Sequence, residues 1–287
     1  MGKTIGVIQA RMGSQRLPGK IIAPLAGRPL LAQLMTRIGP ARVDEWWLAT
    51  SSDPADDVTE AWGFELGLRV FRGKRRDVLS RFLAIGAEAH AEWILRVTAD
   101  NPFLDAKLIN VLLDARDATE ESKHADVIRL RGGLPIGDST AQADLAGSAT
   151  EPSTTSTSPS LPLGYGVELV RLSALERADK EIPENQFHHR VQVTSWLAAS
   201  ASGNASNDGS NNAKFCDVPT PSDWPDRPDW RWTVDTYEDL AMARSAFRVF
   251  GLETATIDYP TMVAHLDAHP EIAAMNRHID QKALGEE

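Results

Sequence analysis

The chain has 287 residues, 42% of them hydrophobic, which is enough for one large packed core. Its formal net charge is -10, from 30 basic and 40 acidic residues, and this argues against nucleic acid or an anionic membrane as the main partner, because both would repel it. The single cysteine, Cys216, excludes an internal disulfide, and neither a signal-peptide core nor a membrane-spanning apolar run is visible, so we expect a cytoplasmic protein.

Short buried strands alternate with helices along the first half of the chain. Thr4-Ile-Gly-Val-Ile predicts the first strand, and Pro29 opens a helix whose apolar residues recur with helical spacing. Further strand-like segments begin at Trp46, Leu68 and Trp93, each followed by a helical pattern. This alternation predicts an α/β fold with a mostly parallel sheet and helices on both faces.

Two segments interrupt this pattern. Residues 137–162 and 199–213 are rich in small and polar residues, so neither can bury enough apolar area to offset its ordering entropy. We predict that both are mobile insertions. The alternation resumes with a helix over about 185–198 and a last strand at Arg231–Val234, and a helical tail is predicted over 260–287.

The basic residues are unevenly distributed. No acidic residue precedes Asp44, although the protein as a whole is acidic. The same stretch contains seven basic residues, namely Lys3, Arg11, Arg16, Lys20, Arg28, Arg37 and Arg42. This pattern indicates either a local anion site or a solvated helix face.

Residues 9–20, between the first strand and the first helix, have the composition of a phosphate-binding loop. Gly13 allows the backbone to approach a ligand, Arg11 and Arg16 can fork onto phosphate oxygens, and Lys20 adds a compact charge. No Ser or Thr follows Lys20, so the segment is not a Walker A loop. Spacing alone leaves a phosphate loop and a structural loop equally open.

Asp100 and Asp235 each follow a predicted strand and precede a predicted helix. Mg²⁺ prefers a few carboxylate oxygens, with water and substrate phosphates as its other ligands, so two such residues can converge on a triphosphate. Each aspartate can instead cap its helix, which is the commoner role for an Asp after a strand. From the residues alone, both roles stay open.

The segment Ala10-Arg-Met-Gly-Ser-Gln-Arg-Leu-Pro-Gly-Lys20 closely resembles the signature of the acylneuraminate cytidylyltransferase superfamily, and most closely its spore-coat polysaccharide branch. The resemblance implies a Rossmann-like fold of the glycosyltransferase-A type, CTP and an acidic or otherwise activated sugar as substrates, Mg²⁺ as cofactor and usually a homodimer. It also implies that the loop binds the nucleotide through Ala10, Arg11, Gly13, Ser14, Arg16 and Lys20.

The same resemblance implies a metal role for the two aspartates. Asp100 matches the pattern usually written Gly-Asp-Cys-Pro, with both flanking residues changed, and Asp235 matches Val-Asp-Thr-x-Glu-Asp-Leu. It therefore implies that Asp100 and Asp235 hold Mg²⁺ and act in catalysis together with Arg16 and Lys20.

A further match, Arg76-Asp-Val-Leu-Ser-Arg81, resembles the helix start Asp-Val-Leu-x-Arg of the family. The resemblance places Asp77 and Arg81 beside the nucleotide. Asp77 can equally be an N-cap and Arg81 a surface residue, so the residues leave both readings open.

The match weakens on the acceptor side. Gly164-Tyr-Gly-Val-Glu168 resembles the strand that presents an acidic residue to the sugar, which implies that Glu168, with Arg190, binds the acceptor. The family commonly continues Arg-Glu-His-Val-Thr, whereas Val191 and Gln192 replace Glu and His here.

We therefore predict that residues 1–287 form a single nucleotidyltransferase domain that transfers CMP from CTP to a sugar, releasing pyrophosphate, in polysaccharide or cell-surface glycan biosynthesis. Two alternatives stay open. One is a sugar-1-phosphate nucleotidyltransferase using another triphosphate, because base-reading residues cannot be located. The other is a catalytically inactive nucleotide-binding regulatory protein, for which Val191 and Gln192 are the best evidence.

Overall fold

The computed structural model describes residues 2–131, 159–201, 212–251 and 257–280. Strands are separated by helices for most of this length. The strands are β1 (Thr4–Gln9), β2 (Pro24–Leu25), β3 (Arg28–Pro29), β4 (Glu45–Ser51), β5 (Arg69–Gly73), β6 (Trp93–Thr98), β7 (Val127–Arg131), β8 (Glu168–Arg171) and β9 (Phe215–Pro219).

The helices of the described ranges fall into long helices that cover the sheet and short ones that shape loops. They are α1 (Leu30–Ile38), α2 (Asp57–Glu65), α3 (Val78–Ala89), α4 (Ala106–Ala118), α5 (Glu120–Lys123), α6 (Leu172–Glu181), α7 (His188–Gln192), α8 (Ser195–Ala201), α9 (Tyr237–Phe250), α10 (Tyr259–Ala268) and α11 (Pro270–Ala273). Within those ranges, no helix combines the length and apolar character needed to cross a membrane.

Seven strands form one sheet in the order β5-β4-β1-β6-β8-β7-β9, and β2 pairs with β3 in a separate antiparallel ribbon. Strand β8 runs antiparallel to both of its neighbours, while β1, β4, β5 and β6 pair in parallel, as do β7 and β9. The predicted mostly parallel sheet is therefore confirmed. Because β8 is reversed, its first residue lies at the same edge as the carboxyl end of β6.

Helices cover both faces of the sheet, as predicted. One apolar cluster packs α1, α4, α9 and α10 against one face, with Leu34, Leu112 and Phe247 fully buried. A second cluster packs α3, α6 and α8 against the other face around Phe82 and Leu175. Strands buried on both sides read as continuous apolar runs, which explains the composition of β1 and β6.

Two elements differ from the sequence prediction. Arg231–Val234 is not a strand, because Arg231 forms an isolated parallel bridge to Leu163. The strand at one edge of the sheet is instead β9, which was not predicted. The helix predicted over about 185–198 is broken at Val193, which adopts φ 62° and ψ -60°. Thr194 N donates to Gln192 O at 2.7 Å across this residue, so the chain makes a γ-turn with a left-handed centre.

Most of the two predicted insertions, 137–162 and 199–213, lies outside the described residues, so their mobility stays a prediction. Their described edges are packed: Leu161 is 1% exposed and Ala213 6%. In the predicted tail, α10 and α11 bury one face against the core, and residues 281–287 of its range lie outside the described part.

Candidate active site

The loop after β1 is held in shape by a buried aspartate and by its own backbone. Met12 N donates to Asp56 Oδ1 at 2.6 Å, and Asp56 also accepts from the hydroxyl of Ser51 at the end of β4. Met12 O accepts from the N–H groups of Ser14 and Gly19, both at 2.9 Å. The loop is therefore closed on itself and anchored to the neighbouring strand before any ligand binds.

Lys20 lies at the centre of the site. Gly19 adopts φ 72°, a left-handed conformation that suits glycine, and starts the 3₁₀ turn Lys20–Ile22. The ammonium of Lys20 donates to Asp100 Oδ2 at 2.6 Å and to Asp235 Oδ1 at 2.7 Å. Burial opposes the charge on Lys20, but the charges of the two aspartates outweigh it and raise the lysine pKa above its ordinary value. The sequence-predicted metal aspartates are thus brought together around one cation.

Asp235 contacts two further cations through its second oxygen. Asp235 Oδ2 lies 3.1 Å from the guanidinium of Arg16 and 2.8 Å from that of Arg231. Burial raises the pKa of Asp235, but Lys20 and then Arg16 and Arg231 reverse this effect and lower the pKa overall. The carboxylate is therefore held ionised.

A buried network fixes the Asp235 loop. Asp239, fully buried, accepts from the backbone N–H groups of Asp235 and Thr236 at 2.9 and 3.0 Å. Its other oxygen accepts from Arg231 Nε at 2.9 Å and from Asn276 Nδ2 at 2.8 Å. Asn276 Nδ2 also donates to Arg231 O at 2.9 Å. A residue of the helical tail therefore completes the support of this loop.

Neither Asp100 nor Asp235, the two aspartates predicted to bind metal, is the cap of its helix. Helix α4 is capped by Asp105, whose carboxylate accepts from Leu108 N at 2.9 Å. Helix α9 is capped by Thr236 in a capping box with Asp239. The alternative role that the sequence left open for Asp100 and Asp235 is therefore wrong, and their charges serve the shared site instead.

More cations surround the loop than the motif indicated. The guanidinium of Arg75 lies 2.9 Å from the position that a Cβ at Gly13 would take. Arg81 is 2% exposed, donates to Ala49 O at 3.3 Å, and its Nε is a buried donor without a partner among the described residues. Burial and then the charge of Arg11 lower the pKa of Arg81 to about 10. Clustered cations of this kind favour an anionic ligand.

The remaining predicted nucleotide residues have structural contacts. Ala10 is buried, and its N–H donates to Ala49 O at 3.2 Å. Ser14 Oγ accepts from Leu17 N at 3.4 Å. Asp77 caps α3 through Ser80 N at 3.1 Å. These contacts shape the walls of the loop and leave direct nucleotide contact by the three residues a prediction.

The two predicted acceptor residues lie in separate ion-pair networks. Glu168 is 4% exposed; its Oε2 accepts from Arg96 at 3.2 Å and from the Thr194 hydroxyl at 2.7 Å. Arg190 pairs with Asp77 at 3.1 Å and with Asp179 at 2.5 Å. None of these contacts joins Arg190 to Glu168. The role of both residues in binding an acceptor stays a prediction.

The turn at Val193 places Thr194 against Glu168. A β-branched residue with positive φ is strained, and such strain persists only where the surroundings enforce it. The turn is followed by Ser195, whose hydroxyl lies 2.8 Å from His189 Nδ1. Burial and then the neighbouring His188 lower the pKa of His189 to about 4.

We expect the free energy of unfolding to fall between pH 7 and pH 5, in part because of His189. The unfolded chain takes up this proton near pH 6.5 whereas the folded chain does so only near 4, so the stability is present above 6.5 and is lost as the pH falls. His189→Asn should reduce that pH dependence by about 1–2 kcal/mol in urea titrations. His188→Asn, at an exposed position, removes only the lesser of the two causes that lower the pKa of His189 and should reduce the pH dependence by less than His189→Asn does. An equal effect of both variants would contradict the assignment.

Several site residues were missed by sequence reasoning. Arg96 and Asp239 are buried, and Asp56 and Arg231 lie in segments that had been given other roles. An available signal was the second Asp of the Val-Asp-Thr-x-Glu-Asp-Leu match, which is Asp239. No local pattern marks Arg96 or Asp56, because Arg96 pairs with Glu168 and Asp56 accepts from Met12 N, both far away in the chain. Arg231 has partners close in sequence, Asp235 and Asp239, but the segment was predicted as a strand.

Comparison with known proteins assigns the chain to a family. A sequence model of the cytidylyltransferase family matches residues 5–182. The spore coat polysaccharide biosynthesis protein SpsF of Bacillus subtilis (strain 168) is 40% identical over 120 residues, which are 40% of this chain and 50% of SpsF. The match therefore spans about half the length of that relative.

Solved structures share the fold. A cytidylyltransferase from Leptospira borgpetersenii serovar Hardjo-bovis (strain JB197) superposes with a TM-score of 0.75 at 23% identity, covering 98% of this chain and all of that one. A CMP:2-keto-3-deoxy-manno-octonic acid synthetase complexed with CTP gives 0.56 at 17% identity, covering 86% and 99%. At these identities the likeness is one of fold. Since the family model matches more than half of the length of this chain, the chain belongs to the cytidylyltransferase family.

Proposed function

We propose that this protein transfers a CMP group from CTP to a sugar hydroxyl, with Mg²⁺ as cofactor and with release of pyrophosphate. The observation that carries the proposal is the convergence of Lys20, Asp100 and Asp235 from three distant parts of the chain. They meet beyond the carboxyl ends of β1 and β6, where open α/β sheets bind ligands.

The two carboxylates fit a magnesium ion. The ammonium of Lys20 lies between them and so marks a position that already attracts a cation. Within the described residues, no group of three or more His, Cys, Asp and Glu side chains could hold a metal, so phosphate and water would complete the coordination, as Mg²⁺ prefers. When bound there, Mg²⁺ would neutralise negative charge on the phosphate oxygens.

The cations of the loop would bind and orient the triphosphate. In the reaction, a bond forms between the sugar oxygen and the α-phosphorus, the hydroxyl proton leaves to solvent, and the bond from that phosphorus to the bridging oxygen of pyrophosphate breaks. Arg11, Arg16 and Lys20 would neutralise the charge that grows on the leaving pyrophosphate. Positioning and neutralisation are the main protein contributions to reactions of this type.

The acceptor proposal rests on the names of similar proteins. One similar protein is named for spore coat polysaccharide biosynthesis, and another is a synthetase that acts on an octonic acid. We therefore propose a sugar acceptor, acidic sugars included, bound on the side of Glu168 and Arg190, and a cytoplasmic homodimer as the working assembly. Sedimentation velocity tests the dimer, and pyrophosphate release over a panel of neutral and acidic sugars tests the acceptor.

The donor is tested by thermal shift. CTP with Mg²⁺ should raise the melting temperature more than ATP, GTP or UTP, because a ligand bound only by the native state stabilises it. At a ligand concentration of about 100 Kd the gain is about 2.7 kcal/mol. Equal shifts for all four nucleotides would show a generic anion site and contradict the cytidylyl assignment.

A further inference from the structure

The position between Asp100 and Asp235 is occupied by a side chain of the protein itself. Lys20 Nζ contacts one oxygen of each carboxylate at 2.6 and 2.7 Å, and its side chain is only 10% exposed. Two charge-assisted hydrogen bonds of this length are among the stronger contacts that a lysine makes. An incoming divalent cation would have to displace this ammonium.

The site is also electrically balanced without any added ion. Three cations, Lys20, Arg16 and Arg231, face three carboxylates. The third carboxylate belongs to Asp239, which pairs with Arg231 at 2.9 Å. A divalent cation arriving alone would therefore bring two uncompensated positive charges close to three fixed ones, which is unfavourable where burial weakens solvent screening.

A triphosphate removes both obstacles. Its negative charges face the cations of the loop, and the flexible four-carbon stem of Lys20 allows the ammonium to turn from the carboxylates to the phosphates. The two carboxylates are then left without their counter-ion. Arg16 and Arg231 cannot replace Lys20 there, because both contact the other oxygen of Asp235.

We propose that Lys20 is an internal counter-ion that keeps a divalent cation out of the free protein, so that the metal enters this site only together with a triphosphate. This inference rests on the proposed function for the identity of the nucleotide. Lys20 would then determine the order in which metal and triphosphate bind, and it would also be a phosphate ligand.

The test measures Mn²⁺ binding by electron paramagnetic resonance, because Mn²⁺ accepts the same oxygen ligands as Mg²⁺. Wild-type protein should bind Mn²⁺ weakly alone and tightly with CTP or inorganic tripolyphosphate. Lys20→Met should bind Mn²⁺ alone roughly tenfold or more tightly than wild type, since the competing contacts are gone. Lys20→Gln serves as a second variant should the methionine variant fold poorly.

Matched controls separate this effect from a general loss of positive charge. Lys20→Arg keeps the charge and should show no gain, and neither should Lys107→Met, which removes an exposed lysine paired with Asp258 at 3.0 Å. Adding Asp100→Asn to Lys20→Met should abolish the gain. Three results would each overturn the proposal: tight Mn²⁺ binding by the free wild type, no gain in Lys20→Met and Lys20→Gln, or a gain that survives Asp100→Asn.

Tripolyphosphate distinguishes this failure from failure of the proposed function. It carries the phosphates without the base, so it should admit Mn²⁺ even if CTP is not the donor. A Lys20 effect with tripolyphosphate but no preference for CTP would leave the counter-ion proposal standing and contradict the cytidylyl assignment. A preference for CTP without any effect of the Lys20 substitutions would contradict the counter-ion proposal and leave the cytidylyl assignment standing.

Discussion

Asp100→Asn and Asp235→Asn should each lower Mg²⁺-dependent pyrophosphate release from CTP by about 100-fold or more. Asparagine keeps the shape of the side chain but removes the charge that a hard cation requires. The double variant should be little worse than the poorer single one, because residues that act as a unit are not additive. Initial rates at saturating CTP and sugar, with chelator and metal-replete arms, provide the measurement.

Stability and a matched carboxylate serve as controls. Asp100→Asn should melt near wild type, whereas Asp235→Asn should lose a few degrees because Arg16, Lys20 and Arg231 lose a shared counter-charge. Asp258→Asn is the control: Asp258 also pairs with a lysine, and it caps α10 far along the chain from the loop. Full activity of both site variants would refute the metal site and the mechanism built on it.

Gly164→Ala should destabilise the fold by about 3 kcal/mol and so lower the melting temperature by roughly 6–12 °C. Gly164 has φ 91°, and a Cβ there would lie 2.5 Å from Thr233 N and 2.9 Å from Asn101 Oδ1. The nearer of these two atoms, Thr233 N, belongs to the backbone and cannot move aside as a side chain can. The chain beside Thr233 would have to shift, and Val234 N is hydrogen-bonded to Asp100 O at 2.8 Å, so the activity should fall too.

Gly27→Ala isolates the conformational part of that cost. Gly27 has φ 79°, but in the part of the chain that the structure describes no heavy atom outside its chain neighbours lies within 4 Å of the position of an added Cβ. This substitution should cost only about 1 kcal/mol, the strain of an L-residue in a left-handed conformation. If calorimetry gave equal melting temperatures for the two variants, the close approach at Gly164 would be of no energetic consequence.

The local parts of the fold were predictable from sequence because short-range patterns encode them. Continuous apolar runs mark β1 and β6, and the helical spacing after Pro29 marks α1. The convergence of Asp100 and Asp235 was predictable only through the resemblance. For each aspartate alone the helix cap was the commoner role, and only the structure shows that other residues make those caps.

Residues whose role depends on distant partners could not be assigned from the sequence. The charge pattern before Asp44 treated all seven basic residues alike, yet Arg37 is 1% exposed and donates to the carbonyls of Phe103 and Leu104. The break at Val193 was missed because its apolar neighbours have helical spacing, and tertiary contacts of Thr194 override that preference.

The contact of Asn276 with Asp239 also has a consequence for synthesis on the ribosome. Chains fold from the amino end as they emerge, so β1, the loop and β6 can pack long before the later residues exist. Asp239 holds the Asp235 loop, but one of its four donors is 37 residues further on. We expect the Asp235 loop of a nascent chain to keep an incompletely bonded buried carboxylate until Asn276 has left the exit tunnel, so that nucleotide chemistry has to wait for a residue well beyond the loop that this residue supports.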